Sequence, residues 1–195
     1  MSRRTQRVQD SLGYMLHATA WRETSLVVQV FAREHGCVAL VAKGAKRPHS
    51  VLRPVLSAFQ PLLLSWSGGG EVKTLTRAEC AGIHPLGGPG LMSAWYMNEL
   101  LLRLLPREDG HPGLFDAYAH ALARLAAGER AAGALRRFEW TLLRETGYGT
   151  GGPDPDFDDP AQEPALRADL RQRLAEHLEG RPLATRKVLL ELQRY

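Results

Sequence analysis

The residues most suited to binding a ligand lie in a short basic stretch, VAKGAKRPHSVLRP, at positions 41–54. Its cations are Lys43, Lys46, Arg47 and Arg53, and it contains no acid. Lysine and arginine at this density pair with backbone phosphates. Gly44 lets a strand approach closely, and Pro48 and Pro54 reduce the freedom that the loop loses on binding. The stretch therefore predicts one wall of a phosphate-binding track.

Five further residues could extend that track. Lys73 and Arg77 lie on one predicted strand, where alternation would place them on one face about 13 Å apart. Arg22 and Arg33 border the first two predicted turns. Trp21 lies at the first turn, where stacking on a base would contribute about 1–3 kcal/mol. The alternative for Trp21 is a plug at the end of a barrel.

No spacing in the chain predicts catalysis or metal binding. The histidines form neither HxxxH nor HExxH, and Cys37 and Cys80 lack CxxC partners. The acids of DPDFDD, from Asp154 to Asp159, are interrupted by proline and lack the terminal glutamate of a calcium loop. AKGAK lacks the end of a phosphate-binding P-loop. We therefore expect a binding protein without enzyme activity, cofactor or metal.

Positive charge is concentrated in the first half of the chain. Residues 1–90 contain 11 Lys/Arg and 5 Asp/Glu, whereas residues 91–195 contain 14 and 16. Such asymmetry points to a polyanionic partner, either nucleic acid or anionic lipid. No apolar stretch approaches the roughly 18 residues of a membrane span, and MSRRTQRVQD lacks the apolar segment of a signal peptide. We expect a soluble, intracellular protein.

The segments before and after the basic stretch, which would position it, show the two-residue hydrophobic period of β-strands. The predicted strands are LGYMLHATAW, TSLVVQVFA, CVALVAKGA, PLLLSW and EVKTLTRAE. Residues 67–70 favour a hairpin turn, and Trp66 before them is expected in the core. SVLRPVLSAF favours a short helix, broken by Pro54, between the third and fourth strands. Five strands with a helix in that place is the order of an OB-fold barrel.

The period changes to that of helices beyond residue 89. The predicted helices are LMSAWYMNELLLRLLP, HPGLFDAYAHALARLAAG, ALRRFEWTLLRETG, PALRADLRQRLAEHLEG and TRKVLLELQRY. The first is apolar almost all round, which predicts a buried helix. We predict an α+β fold, with an OB-fold domain over residues 1–86 and a helical domain over residues 87–195. An acidic loop rich in proline and glycine lies near residues 148–163.

Several of these segments, in their order along the chain, resemble the RecO family of bacterial recombination mediators. They are RETSLVVQVFAREHG, VAKGAKRP, LRPVLSAFQPLLLSWSGGGEVKTLTRAE, WYMNELLLRLLPREDGHPGLFDAYAHAL, RRFEWTLLRETGYG and RPLATRKVLLELQRY. The resemblance covers most of the chain. It implies an OB-fold followed by a helical domain, binding to single- and double-stranded DNA, and annealing of complementary strands. It also implies a place in the bacterial cytoplasm, with the nucleoid.

The resemblance implies two protein partners as well: RecR and the acidic tail of single-stranded DNA-binding protein, so that RecA can be loaded. The second half of the chain is net acidic but carries local cations that could receive such a tail. These are Arg103, Arg124, Arg136 and Arg137. We expect them to frame an apolar pocket with a basic rim. The alternative for Arg136 and Arg137 is that they are solvated helix residues paired with nearby acids.

One departure from the family concerns zinc. Many relatives carry a longer segment after the position of GYG, in some cases with four cysteines that hold zinc. About seventeen acidic, proline-rich residues without cysteine stand there in this chain. We expect no zinc site.

Two other functions fit the basic half. One is a non-catalytic OB-fold scaffold whose loop binds RNA or a protein. The other is binding to a lipid surface, which is disfavoured because that half lacks a basic amphipathic helix with a large apolar face.

Overall fold

A computed structural model describes residues 6–129, 132–149, 152–178 and 181–185. The described residues form five strands followed by four helices, which confirms the predicted α+β class. The chain divides into two compact units. The barrel unit extends to His84 and includes Pro106–His111, and the helical unit comprises Pro85–Leu105 and the chain from Pro112 onwards. The division is therefore not a single boundary, because the connection between the first two helices groups with the barrel.

The barrel unit is a closed five-stranded barrel. Its strands are β1 (Gln6–Trp21), β2 (Ser25–Ala32), β3 (Gly36–Ala42), β4 (Pro61–Gly68) and β5 (Val72–Cys80). They follow one another around the barrel in the order β1-β2-β3-β5-β4. All neighbours are antiparallel except β3 and β5, which are parallel. This is the strand order of an OB-fold, as the sequence predicts.

The barrel closes because β1 is long enough to pair with two strands. It pairs with β4 through its first half and with β2 through its second half, with register shifts after Val8 and after Met15. Such irregularities bend a strand and increase its twist, which lets one strand serve two neighbours. The interior is filled by aliphatic side chains and by Trp66, which is 1% exposed, as expected for a core residue.

The connection between β3 and β4 differs from the expected helix. Residues 43–60 form successive turns, with hydrogen bonds from Arg47 N to Gly44 O, from Ser50 N to Arg47 O and from Arg53 N to Ser50 O. Pro54 lacks an N–H group and disfavours helical geometry at the residue before it, which explains why no helix forms. Apolar side chains of this connection pack on the barrel core and fix its path: Ala45, Leu52, Val55, Leu56 and Ala58.

The helical unit contains four described helices. They are α1 (Gly88–Leu104), α2 (Pro112–Ala126), α3 (Ala132–Glu145) and α4 (Glu163–His177). The helix predicted for TRKVLLELQRY lies almost wholly outside the described residues. Ala94, Met97 and Leu101 of α1 are buried, but Trp95 and Leu102 are 38% and 40% exposed. The prediction of a buried helix therefore holds for one face of α1 and is wrong for the face that carries Trp95 and Leu102.

Candidate nucleic-acid interface

The basic loop, defined as residues 43–54, is fixed to the turn between β1 and β2. Lys43, Lys46, Arg47 and Arg53 are exposed, whereas Ala45 between them is 1% exposed. Lys46 N donates to Thr24 O at 2.8 Å, and Gly44 N donates to Ser25 Oγ at 3.3 Å. Gly44 has a φ of +69°, which glycine adopts without strain. The backbone of the loop is thus anchored while its cations face solvent.

The turn between β1 and β2 adds an aromatic ring and a cation beside this loop. Trp21 is 48% exposed, so it does not plug the end of the barrel. The guanidinium of Arg22 lies 5.9 Å from the centre of the Trp21 ring. Because Thr24 in the same turn bonds to Lys46, the turn and the basic loop adjoin. We call the combined set the basic surface: Trp21, Arg22, Lys43, Lys46, Arg47 and Arg53.

The cations of the basic surface have no ion-pair partner within the described part of the chain. Two of the other exposed arginines of the barrel unit, Arg33 and Arg77, do have partners. Arg33 Nη1 lies 2.6 Å from Glu34 Oε1, and Arg77 Nη2 lies 2.6 Å from Glu79 Oε1. An unpaired cation can exchange its mobile counterions for a phosphate without first breaking an internal contact. The basic surface, where five such cations lie on two adjoining segments, is therefore suited to a polyanion.

Arg33 and Arg77 do not join the basic surface. Arg33 follows the last residue of β2, whereas Arg22 precedes its first, so the two lie at opposite ends of that strand. Arg77 also faces Asp10, with 3.6 Å between Nη1 and Oδ1. The hydrogen bond to Glu79 and the nearby acids raise the pKa of Arg77.

The structure contradicts the prediction that Lys73 is an exposed DNA contact. Lys73 is 4% exposed, forms an ion pair with Glu108 and donates to Gly70 O at 3.4 Å. It does not share a face with Arg77, because β5 shifts register between the residues paired with Ser65 and Trp66. Thr76 is the extra residue of this bulge, and one extra residue reverses the alternation of side chains. Lys73 is therefore an internal ion-pair partner.

The four arginines proposed to frame one pocket of the helical unit do not lie together. Arg103 pairs with Glu99 at 2.6 Å and donates to the carbonyl oxygens of Arg181 and Pro182. Arg136 is 8% exposed and lies 2.8 Å from Glu139, a carboxylate that also accepts from Tyr96 Oη at 2.7 Å. Burial raises the pKa of Glu139 even though Arg136 favours its charged form. Arg136 is thus an internal ion-pair partner and not part of a basic rim.

Arg124 and Arg137 do share a cavity, which we call the arginine groove. It has a volume of about 720 Å³ and lies between α2 and α3. Its helical lining includes Ala117, His120, Arg124, Arg137, Thr141 and Arg144. Arg144 is a lining residue that the sequence reasoning missed, although it lies seven positions after Arg137 and so on the same helix face. Asp154, Phe157 and Asp158 of the acidic loop also line the groove.

Among the described residues, no group of three or more His, Cys, Asp or Glu side chains is placed to hold a metal ion. None of the helices in the described ranges is both long and apolar enough to cross a membrane.

Two family models match this chain in sequence order. The model described as "Recombination protein O N terminal" matches residues 8–84, and "Recombination protein O C terminal" matches residues 89–154. Their boundary falls close to the end of the barrel strands, so the matched regions correspond to the barrel and to the helices that follow it.

Curated relatives extend this similarity along most of the chain. The DNA repair protein RecO of Ralstonia nicotianae is 46% identical over 239 positions, covering 99% of this chain and 88% of the relative. That of Aromatoleum aromaticum is 53% identical over 193 positions, covering 96% and 80%. The Ralstonia alignment is 44 positions longer than the 195 residues of this chain, so that relative carries additional residues that face gaps here. Similarity of this extent, together with the barrel and the helices, shows that the chain belongs to the RecO family and that its role is in DNA repair and recombination.

Proposed function

We propose that this protein binds single- and double-stranded DNA through the basic surface and anneals complementary single strands. The observation that carries the proposal is a set of exposed cations, without ion-pair partners among the described residues, beside the exposed ring of Trp21. Phosphate contacts from such cations supply affinity for any DNA sequence. An exposed indole adds stacking on unpaired bases, which is tolerant of sequence because every base has a π-face.

The anchoring of the basic loop supports this function. Hydrogen bonds to Thr24 and Ser25, and the burial of Ala45, fix the backbone before DNA arrives. A preorganised loop loses less conformational entropy on binding than a free one. We propose that the protein acts by binding alone, without turnover, because the chain contains no nucleotide-binding motif that would couple it to ATP.

We propose further that the protein helps RecA to load on DNA that is coated by single-stranded DNA-binding protein. Family membership supports this role, together with RecR and the acidic tail of single-stranded DNA-binding protein as partners. The arginine groove is the part of the helical unit with the right chemistry for such a tail. It carries three guanidinium groups, and that of Arg137 already lies over an aromatic ring, that of Phe157, so the groove suits a peptide that carries acids and an aromatic residue.

The DNA-binding proposal is tested by the salt dependence of binding to labelled single-stranded DNA. The Lys43→Ala, Lys46→Ala double variant should weaken binding, and its log–log salt slope should fall by about 1.4, or about 0.7 for each lost contact. Arg33→Ala with Arg77→Ala is the matched control. It removes the same charge from the same unit, but from arginines that already have acidic partners. We expect the control to keep the slope of the original protein.

An unchanged slope in the folded Lys43, Lys46 variant would falsify the phosphate role of the basic loop. The same titration with single-stranded RNA tests the alternative of an RNA-binding scaffold. Tighter binding to RNA than to DNA at every salt concentration would favour that alternative.

A further inference from the structure

The acidic segment, defined as residues 154–158, lines one side of the arginine groove and pairs with its arginines. Asp158 Oδ1 lies 3.4 Å from Arg124 Nη1. Asp154 pairs with Arg144 and accepts a hydrogen bond from Trp140 Nε1 at 3.2 Å. The segment therefore contacts both walls of the groove, because Arg124 belongs to α2 and Arg144 to α3.

Phe157 anchors the middle of the segment. It is 6% exposed, the guanidinium of Arg137 lies 4.9 Å from its ring centre, and the ring of Trp140 packs against it edge-on with 6.4 Å between ring centres. The backbone approaches α3 at Gly133, where a β-carbon would lie only 2.4 Å from Phe157 O. The backbone of the segment thus packs closely against α3, and only glycine at position 133 leaves room for this contact.

The charges of the groove depend on whether the segment is present. The lining contains three arginines and four acids, and two of those acids, Asp154 and Asp158, come from the segment itself. The remaining acids are Asp116 and Glu145. Without the segment, the arginines outnumber the acids, and the groove would attract an acidic peptide.

We propose that residues 154–158 are a built-in competitor, which must release the arginines of the arginine groove before the acidic tail of a partner protein can bind to them. The inference rests on the proposed tail-binding function of this groove. The segment presents the chemistry of that tail, with acids on guanidinium groups and an aromatic ring on the Arg137 and Trp140 side chains. Its ion pairs are exposed, and exposed ion pairs are weak, so a partner tail at sufficient concentration can displace it.

A competitor tethered to the same chain acts at a high effective concentration, whatever the concentration of the protein. The apparent affinity for the partner tail is then reduced by the fraction of molecules whose groove is open. Releasing the segment should therefore strengthen tail binding without any change in the groove residues.

The experiment measures binding of a fluorescein-labelled synthetic peptide, whose acids precede a C-terminal phenylalanine, by fluorescence anisotropy. Phe157→Ala removes the anchor of the segment without changing any charge. We expect it to tighten peptide binding at least about fivefold. Asp154→Asn with Asp158→Asn, which leaves the buried ring in place, should act in the same direction. Arg124→Ala with Arg137→Ala should weaken binding in the same assay.

The matched control is Asp116→Asn with Glu145→Gln. It removes two acids from the groove lining that do not belong to the segment. If it strengthens binding as much as the Asp154, Asp158 variant, and Phe157→Ala has no effect, the gain is general electrostatics and the built-in competitor is overturned.

The remaining outcomes separate the inference from the function on which it rests. Equal peptide affinity in the original protein and in both segment variants, with weaker binding in the arginine variant, overturns the competitor but keeps tail binding. Failure of the peptide to bind any of these folded variants overturns both. Circular dichroism of each variant, compared with the original protein, establishes that the helices are intact.

Discussion

At the scale of single residues, Trp21 is the side chain that we expect to distinguish binding of single strands from binding of any polyanion. Lysine and arginine bind phosphates of duplex and single strand alike, but only unpaired bases offer free faces for stacking. Trp21 is half-exposed, with Arg22 over its ring. The guanidinium can pair with a phosphate while the ring stacks on a neighbouring base.

We predict that Trp21→Ala weakens binding to single-stranded DNA by about 1–3 kcal/mol and binding to duplex by less. The measurement is anisotropy of labelled single-stranded and duplex oligonucleotides of equal length. Trp95→Ala, which removes a partly exposed indole from α1 in the helical unit, is the control and should change neither affinity. Equal losses on both DNA forms would mean that Trp21 has a structural role only.

At the scale of elements, the five strands and four of the five predicted helices followed from the sequence because hydrophobic period and turn residues encode them directly. The side-chain contacts that determine which cations belong to the basic surface did not follow from the sequence. Lys73 and Arg77 are four residues apart, so a regular strand would place both on the same face. The bulge at Thr76 breaks this alternation, so that Lys73 is buried and Arg77 is exposed. A bulge depends on strand pairing, which a single strand's sequence does not encode.

The contacts of residues 106–111 with the barrel strands could not be predicted from the sequence either. Glu108 N donates to Cys37 O, and a β-carbon on Gly36 would lie 1.8 Å from Asp109 O. Gly36 also has a φ of +64°, so two separate constraints require glycine there. In the sequence this residue follows EH in a simple turn, and nothing near it indicates a partner more than seventy positions away.

Glu108, which lies in residues 106–111, pairs with Lys73, and the contribution of this ion pair to stability can be measured. We predict that Glu108→Gln lowers the free energy of unfolding by about 1–3 kcal/mol, because it leaves a buried ammonium group without its charged partner. Lys73→Met keeps the aliphatic stem and removes the buried charge, so it should cost less. Urea denaturation of the two variants measures the difference.

DNA affinity provides the second readout for Lys73. Neither variant should change the salt slope of DNA binding, since neither residue belongs to the basic surface. A lower slope for Lys73→Met, in a protein that remains folded, would restore Lys73 as a phosphate contact.

At the scale of the whole molecule, the charged residues of the basic first half and of the acidic second half of the chain are arranged differently. In the described part of the barrel unit, the cations of the basic surface have no ion-pair partner, while Arg33, Lys73 and Arg77 are balanced by acids. In the helical unit, Arg124, Arg136 and Arg144 pair with acids of the same unit. Net charge per half is therefore a better guide to the proposed polyanion site than the position of any single arginine, because internal pairing cancels individual charges but leaves the regional excess.

That regional excess leads to the prediction on annealing. Two complementary strands repel each other through their phosphates, and cations that neutralise both backbones lower that barrier without any input of energy. We predict that the purified protein anneals complementary oligonucleotides in the absence of ATP, measured by the quenching of a dye pair. The Lys43→Ala, Lys46→Ala variant should anneal more slowly at equal protein concentration, and Arg33→Ala with Arg77→Ala should retain the original rate. Annealing should also slow as salt is raised through the range in which DNA binding weakens, because both depend on the same phosphate contacts. If the purified protein anneals only when ATP is supplied, or if the Lys43, Lys46 variant anneals at the original rate, strand pairing does not take place on the basic surface.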